Sequence, residues 1–288
     1  MAPVIKTEKI THVYSAGTVF EHTALTDVSF EAQKGEYIGI IGHTGSGKST
    51  FIQTLNGLIR PTSGAVFFDG ADIRESKERT RDIRFKVGLV FQYPEYQLFE
   101  ETVFNDIAFG PKNMGLDSGE VAERVREAAG FVGLGENDLK KSPFDLSGGL
   151  RRRAAIAGVI AMRPEVLIAD EPTAGLDPAG SSEIIANIGA YRRSTGATII
   201  IVTHSMEEIA RNADRVAVFD GGRVVMDASP ADTFARGDEL TAMGLGIPAA
   251  AAIANRLRAR GLPIADGIIT ADGLRAALRG LRRGKGNA

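Results

Sequence analysis

The stretch Gly42-His43-Thr44-Gly45-Ser46-Gly47-Lys48-Ser49-Thr50 fits the spacing G-x-x-x-x-G-K-S/T, and each of its residue types suits a triphosphate. Gly45 and Gly47 permit positive φ and close backbone approach, so that successive N–H groups can point at phosphate oxygens. A helix opening at the same spot adds the positive end of its dipole. Lys48 offers a mobile charge for the β- and γ-phosphates, and the Ser49 hydroxyl suits Mg²⁺. Phe51, Leu55 and Leu58 recur at helical spacing and read as the buried face of that helix.

A second set of candidates follows two apolar runs. Asp170 and Glu171 come directly after Val166-Leu167-Ile168-Ala169, with Pro172-Thr173-Ala174-Gly175-Leu176-Asp177 turning the chain behind them. Asp170 is placed to serve the Mg²⁺ shell, and Glu171, one residue further out, to orient or deprotonate an attacking water. His204 follows Thr198-Ile199-Ile200-Ile201-Val202 and Thr203, where it can donate to a γ-phosphate. His12 and His22 have no comparable setting, and His43 is noted only as a member of the phosphate loop.

These groups need a scaffold that brings them together. Tyr37-Ile38-Gly39-Ile40-Ile41, Val166–Ala169 and Thr198–Val202 do not alternate with polar residues, so they read as parallel strands buried on both faces. Each is followed at once by polar candidates, and ligands of open parallel sheets sit outside the carboxyl ends of the strands. Ala65–Phe68, Val87–Val90 and Val216–Phe219 add further strands, whereas the pattern between Pro94 and Met162 is helical. The expectation is an α/β domain over about residues 1–230 with a helical subdomain at about 94–163. An α-rich appendage is expected over 231–288, with helices near Ala249–Arg260 and Asp272–Arg282.

Composition narrows the function classes. A formal charge of -2 argues against a primary nucleic-acid binder, and the absence of cysteine excludes disulfides, thiolate metal sites and a cysteine nucleophile. The opening Met1-Ala2-Pro3-Val4-Ile5-Lys6 lacks the pattern of a secretory leader, and no run of apolar residues is long enough to span a bilayer. Any work at a membrane is therefore expected to be peripheral, on its cytoplasmic face, and to need a partner.

Leu146-Ser147-Gly148-Gly149-Leu150 resembles the LSGGQ motif of ATP-binding cassette proteins. Together with Gly42–Thr50, Gln92, Asp170-Glu171, Leu176-Asp177 and His204 it resembles the complete cassette set, over roughly residues 4–230. The resemblance implies the fold of a P-loop NTPase of the ABC nucleotide-binding type and an ATPase activity with Mg²⁺. It also implies a head-to-tail dimer in which Ser147, Gly148 and Gly149 of one subunit close on the γ-phosphate held by the other. By the same resemblance Lys48, Gln92, Glu171 and His204 form the catalytic set, Gln92 touching both metal and water, with Ser49, Gln92 and Asp170 toward the metal. Tyr14 stacks on adenine, a packed tyrosine being the other reading. One departure is Leu150, which stands where the motif has Gln and cannot supply an amide contact.

A narrower likeness is carried by Gly42–Lys48, by Phe91-Gln92-Tyr93-Pro94-Glu95-Tyr96-Gln97-Leu98-Phe99-Glu100-Glu101-Thr102-Val103 and by Ala155–Met162, which are similar to the ATPases of energy-coupling factor importers of cobalt or vitamin type. His43-Thr44 and Gly17-Thr18-Val19-Phe20-Glu21 favour the second ATPase type of that group. The likeness implies a second ATPase subunit, a transmembrane coupling protein and a membrane substrate-binding subunit as partners. Tyr93, Tyr96, Leu98 and Phe99 then help line the groove for coupling helices, or instead form a core stripe of the helical segment. An ATPase of another ABC transporter class and a soluble ATP-gated assembly module are the alternatives. In the appendage, Ile253, Leu257, Leu274, Leu278 and Leu281 form short apolar stripes, with Arg256, Arg258, Arg260, Arg275, Arg279, Arg282 and Arg283 on the remaining face. A solvated helical pair, a dimer contact and an anionic-lipid contact all fit that pattern.

Overall fold

A central six-stranded sheet carries five parallel strands, and it forms where the sequence offers runs that are apolar on both faces. In the computed structural model, which describes residues 2–284 and side chains as far as residue 281, these strands are β3 (Tyr37–Ile41), β6 (Val87–Val90), β7 (Val166–Asp170), β8 (Thr198–Val202) and β9 (Arg215–Asp220). β10 (Arg223–Ala228) pairs antiparallel to β9, giving the order β10-β9-β3-β8-β7-β6. Alternate side chains serve two cores. Tyr37, Ile41, Leu167, Ala169, Ile199 and Ile201 face the helices, while Ile38, Ile40, Val166, Ile168, Ile200 and Val202 face the other side.

That other side is covered by an antiparallel sheet of β1 (Ile5–Tyr14), β2 (His22–Ala32), β4 (Ser63–Phe68) and β5 (Ala71–Asp72) in the order β2-β1-β4-β5. Between the layers runs α1 (Lys48–Leu55), the helix expected after the phosphate loop. Its Phe51 ring packs edge-on at 5.3 Å from Phe30 and tilted at 4.9 Å from Phe219, joining both sheets. The buried face includes Phe51, Ile52 and Leu55, but Leu58 is a correction. The helix ends at Leu55, and the chain turns through Gly57 at φ 69°, which leaves Leu58 exposed. α2 (Lys77–Lys86), capped by Ser76, leads back into β6.

Between β6 and β7 the chain is helical: α3 (Val103–Asn113), α4 (Ser118–Phe131), the short α5 (Glu136–Leu139) and α6 (Gly148–Ile160). Thr102, Asp117 and Ser147 supply side-chain caps at the starts of α3, α4 and α6. α7 (Pro178–Thr195) opens with Asp177 as cap and Pro178 in its first turn, and α8 (Met206–Asn212) follows β8 with Ser205 as its cap.

Beyond β10 come α9 (Pro230–Ala235), α10 (Gly237–Ala242), α11 (Ala249–Ala259) and α12 (Ala271–Gly284). The last two meet the expected pair, whereas α9 and α10 were not read from sequence. Ala250, Ala254, Ile264 and Leu274 form a small core there, with Leu257 and Leu281 packed against it. Ile253 and Leu278 lie exposed, so the buried stripe of α11 is made by alanines rather than by Ile253. The side chains of Arg282 and Arg283 lie outside the described residues.

Candidate active site

Strand register explains why the candidate residues converge. Ile40 of β3 and Asp170 of β7 both pair with Val202 of β8, and Val90 of β6 pairs with Ala169. Four neighbouring strands therefore end nearly level, and the next residues of each (Gly42 onward, Glu171, His204 and Gln92) leave at the same edge. The cleft they border has a volume of about 320 Å³. Thr44, Gly45, Gly47, Lys48, Ser49, Thr50, Gln92, Asp170, Glu171 and His204 line it, together with Tyr14 at the end of β1. Gly42, His43 and Ser46 belong to the same loop but do not line the cleft.

The phosphate loop is shaped as its glycines require. Gly45 and Gly47 have φ of 83° and 99°. A Cβ on Gly47 would stand 2.5 Å from the Ala24 carbonyl, so no other residue fits that turn without displacing β2. The Lys48 ammonium donates to the carbonyls of Gly42 and His43 at 2.7 and 2.8 Å. Burial pushes its pKa down, against the pull of Glu171 and Asp170. His43 Nε2 lies 3.0 Å from Asp220 Oδ1, which ties the loop to the end of β9.

Burial also dominates the acids. Asp170 is buried, which raises its pKa, while the Ser49 hydroxyl, Lys48 and His204 beside it act in the opposite sense. Glu171 is pushed up to about 7 by burial and by Asp170. Its Oε1 is buried, lacks a hydrogen bond, and stands 3.1 Å from His204 Nε2. His204 is shifted down by burial and by Lys48. Glu171 also has a left-handed backbone, φ 48°, held by its N–H donating to the Val202 carbonyl at 2.9 Å. Serine, carboxylate and amide oxygens in one cleft are the donor set that Mg²⁺ accepts alongside phosphate oxygens. Among the described residues no group of three or more His, Asp or Glu forms a separate metal cage.

Tyr14 donates to or accepts from Thr50 Oγ1 at 3.2 Å and packs edge-on against His12 at 4.4 Å. It remains 40% exposed, so one face is open to the cleft. His22, given no role in the sequence reading, also lines the cleft because it pairs directly with Tyr14 across the β1–β2 hairpin. Two others have no individual role in the sequence reading: Arg152, one of three consecutive arginines, and Glu95, a member of the Phe91–Val103 stretch, are joined through both carboxylate oxygens at 2.7 and 2.9 Å. Arg153 also reaches a distant carboxylate, Glu183, so it is burial together with the Glu95 contact that sets Arg152 apart among the three.

Ser147, Gly148 and Gly149 are absent from the lining of this cleft. They form the exposed or half-exposed start of α6, where Ser147 Oγ accepts from the Leu150 N–H at 3.4 Å. Leu150 turns its side chain onto the helical core. Of the groove candidates, Leu98 and Phe99 line a groove of about 420 Å³ between the segment after Pro94, α3 and α6. Tyr93 and Tyr96 stand exposed beside it, so the core-stripe reading fails for them.

Residues 25–174 match the family model described as ABC transporter. The chain belongs to the ABC transporter family. This cassette is 53% identical over 281 residues to the energy-coupling factor transporter ATP-binding protein EcfA2 of Symbiobacterium thermophilum, covering 98% of this chain and 97% of that one. It is 50% identical to the protein of the same name from Clostridium perfringens, covering 95% of this chain and 96% of that one. Among solved structures, cbiO1 from Clostridium perfringens, part of the ABC transporter complex cbiONQ, superposes with a TM-score of 0.74 at 38% identity. That match covers 84% of this chain and 94% of cbiO1. A dimeric ATP-binding cassette in a post-hydrolysis state with ADP and Pi gives 0.71 at 27% identity, covering 78% of this chain and 98% of that one. Among the described residues no helix of the cassette is long and apolar enough to cross a membrane.

Proposed function

We propose that this cassette is the ATP-hydrolysing subunit of an energy-coupling factor importer, driving uptake of vitamins or transition-metal ions through a transmembrane coupling protein. The observation that carries the reading is the convergence of Lys48, Asp170, Glu171 and His204 on one cleft in a chain so similar to EcfA2 proteins. In this reading residues 1–230 are the nucleotide-binding domain, residues 94–163 its helical subdomain, and residues 231–288 an appendage. The cassette works at the cytoplasmic face, beside a second ATPase subunit and a membrane substrate-binding subunit.

The loop amides and Lys48 hold the phosphates, and Tyr14 stacks on the adenine. Ser49 and Asp170, with Gln92, would hold Mg²⁺, which when bound would offset charge on the phosphate oxygens. Glu171 orients the attacking water and takes its proton at Oε1, the atom left without a hydrogen bond. His204 Nε2 donates to the γ-phosphate from its place 3.1 Å from that oxygen. The Ser-Gly-Gly of a second cassette, matching Ser147, Gly148 and Gly149, closes the site from outside. Leu150, turned to the core, leaves that closure to the serine and the backbone.

Purification of the tagged chain from native membranes tests this directly. A multispanning membrane protein and an ATPase partner should come with it, and vesicles holding the complex should take up a vitamin or a transition-metal ion only with ATP. A complex with a dedicated permease of another transporter class, or a chain free of membrane proteins, would replace the reading.

A further inference from the structure

Arg152 sits on the second turn of α6 and is 2% exposed, yet its guanidinium reaches two segments distant from it in sequence. Its Nε and Nη2 donate to both carboxylate oxygens of Glu95, at 2.9 and 2.7 Å. Its Nη1 donates to the carbonyls of Pro172, at 3.4 Å, and Ala174. The guanidinium also lies 5.6 Å from the centre of the Tyr93 ring. Burial alone would push the Glu95 carboxyl up, but the Arg152 guanidinium holds it below its usual value.

The segments so joined are those that carry the chemistry. Glu95 and Tyr93 follow Gln92, Pro172 and Ala174 follow Glu171, and α6 begins at Ser147-Gly148-Gly149. Tyr93 and Glu171 have φ of 54° and 48°, a conformation that non-glycine residues seldom adopt and that persists only where neighbours impose it. A planar fork with five donors can hold a carboxylate and two carbonyls at once, and an ammonium cannot reproduce that geometry. Packing alone does not ask for this arrangement, since a buried ion pair is often no more stabilising than apolar side chains of the same volume.

We propose that Arg152 is a positioning residue that locks the Gln92 and Glu171 segments to α6, so that docking of the Ser147-Gly148-Gly149 end against a second cassette sets the aim of Glu171 and Gln92. This rests on the ATPase reading above and adds a connection within it. Arg152 does not line the cleft. Its loss acts on turnover through the residues it holds.

The test uses the full-length chain in its membrane complex. Steady-state hydrolysis at saturating Mg-ATP and affinity for a fluorescent ATP analogue are compared for Glu95→Gln, Arg152→Lys, Arg152→Gln and the double Gln variant. Arg152→Gln should lower kcat about tenfold or more with the nucleotide Kd within about threefold, and the double variant should lose no more than the worse single one. Arg152→Lys should restore only part of the rate. A folded Arg152→Gln chain with unchanged kcat, losses that multiply in the double variant, or an equal fall in nucleotide affinity would overturn the proposal. Should Arg152→Gln not fold, Glu95→Gln decides, since unchanged turnover there is equally fatal. A wild-type complex that does not hydrolyse ATP defeats the ATPase reading instead.

Discussion

His204 Nε2 stands 3.1 Å from Glu171 Oε1, although the two residues leave different strands and only the register of β7 against β8 brings them level. Burial favours the neutral form of both groups, raising the carboxyl to about 7 and lowering the imidazole. A carboxylate near its midpoint at neutral pH can accept a proton and release it again, as a general base must. The imidazole, kept largely neutral, still has one N–H to donate.

Replacement of Glu171 by Gln keeps size and removes the base. ATP binding should persist while turnover falls roughly a hundredfold or more. Single-turnover hydrolysis beside nucleotide titration separates these, and an unchanged rate would take the role away from Glu171.

Lys48→Ala removes the charge that the loop carbonyls of Gly42 and His43 now hold at the cleft. Nucleotide affinity should fall below detection in equilibrium dialysis while the fold persists by circular dichroism. Normal affinity would overturn the assignment of the phosphate loop.

Glu208 on α8 gives a prediction about stability. Its Oε1 is buried without a partner, and burial, opposed by Thr203 and assisted by Glu171, raises its pKa to about 7 from a usual 4.5. The folded state thus holds a proton that the unfolded state has released. The stabilisation is complete below about pH 4.5 and is lost as pH rises through about 7. Glu208→Gln should therefore match the wild type near pH 5 and exceed it by about 1–3 kcal/mol near pH 8. Urea denaturation at the two pH values checks the sign. A variant less stable at the higher pH would show that the charged form is welcome there.

Tyr96 is 83% exposed beside the groove that Leu98 and Phe99 line. If this surface receives coupling helices, Tyr96→Ala should leave hydrolysis by the complex largely intact and lower uptake per ATP several-fold, in the range of a lost aromatic anchor. Equal losses of uptake and hydrolysis would remove that role.

Strands buried on both faces were legible because their residues run apolar without alternation, as in Tyr37–Ile41 and Ile199–Val202. β1 and β2 were not, since only one face is covered and their pairing shifts register between Thr7 and Val13, which breaks the alternation. The phosphate loop, Asp170, Glu171 and His204 were readable because each lies at a strand end that topology places at one edge, whereas Gln92 came only from the resemblance to cassette proteins. His22 and Arg152 were not, because cross-strand pairing in one case and a carboxylate on a distant segment in the other give them their places. Leu58 misled because helical spacing continues past the point where Gly57 ends the turn.

The left-handed backbone at Glu171 sets opposing demands on a single position. Glycine there would relax the main chain and delete the unpartnered oxygen together, yielding a sturdier molecule that turns over poorly. Selection for thermal hardiness alone would drift toward such a substitution, so screens for tougher variants of this cassette need a hydrolysis readout alongside melting temperature.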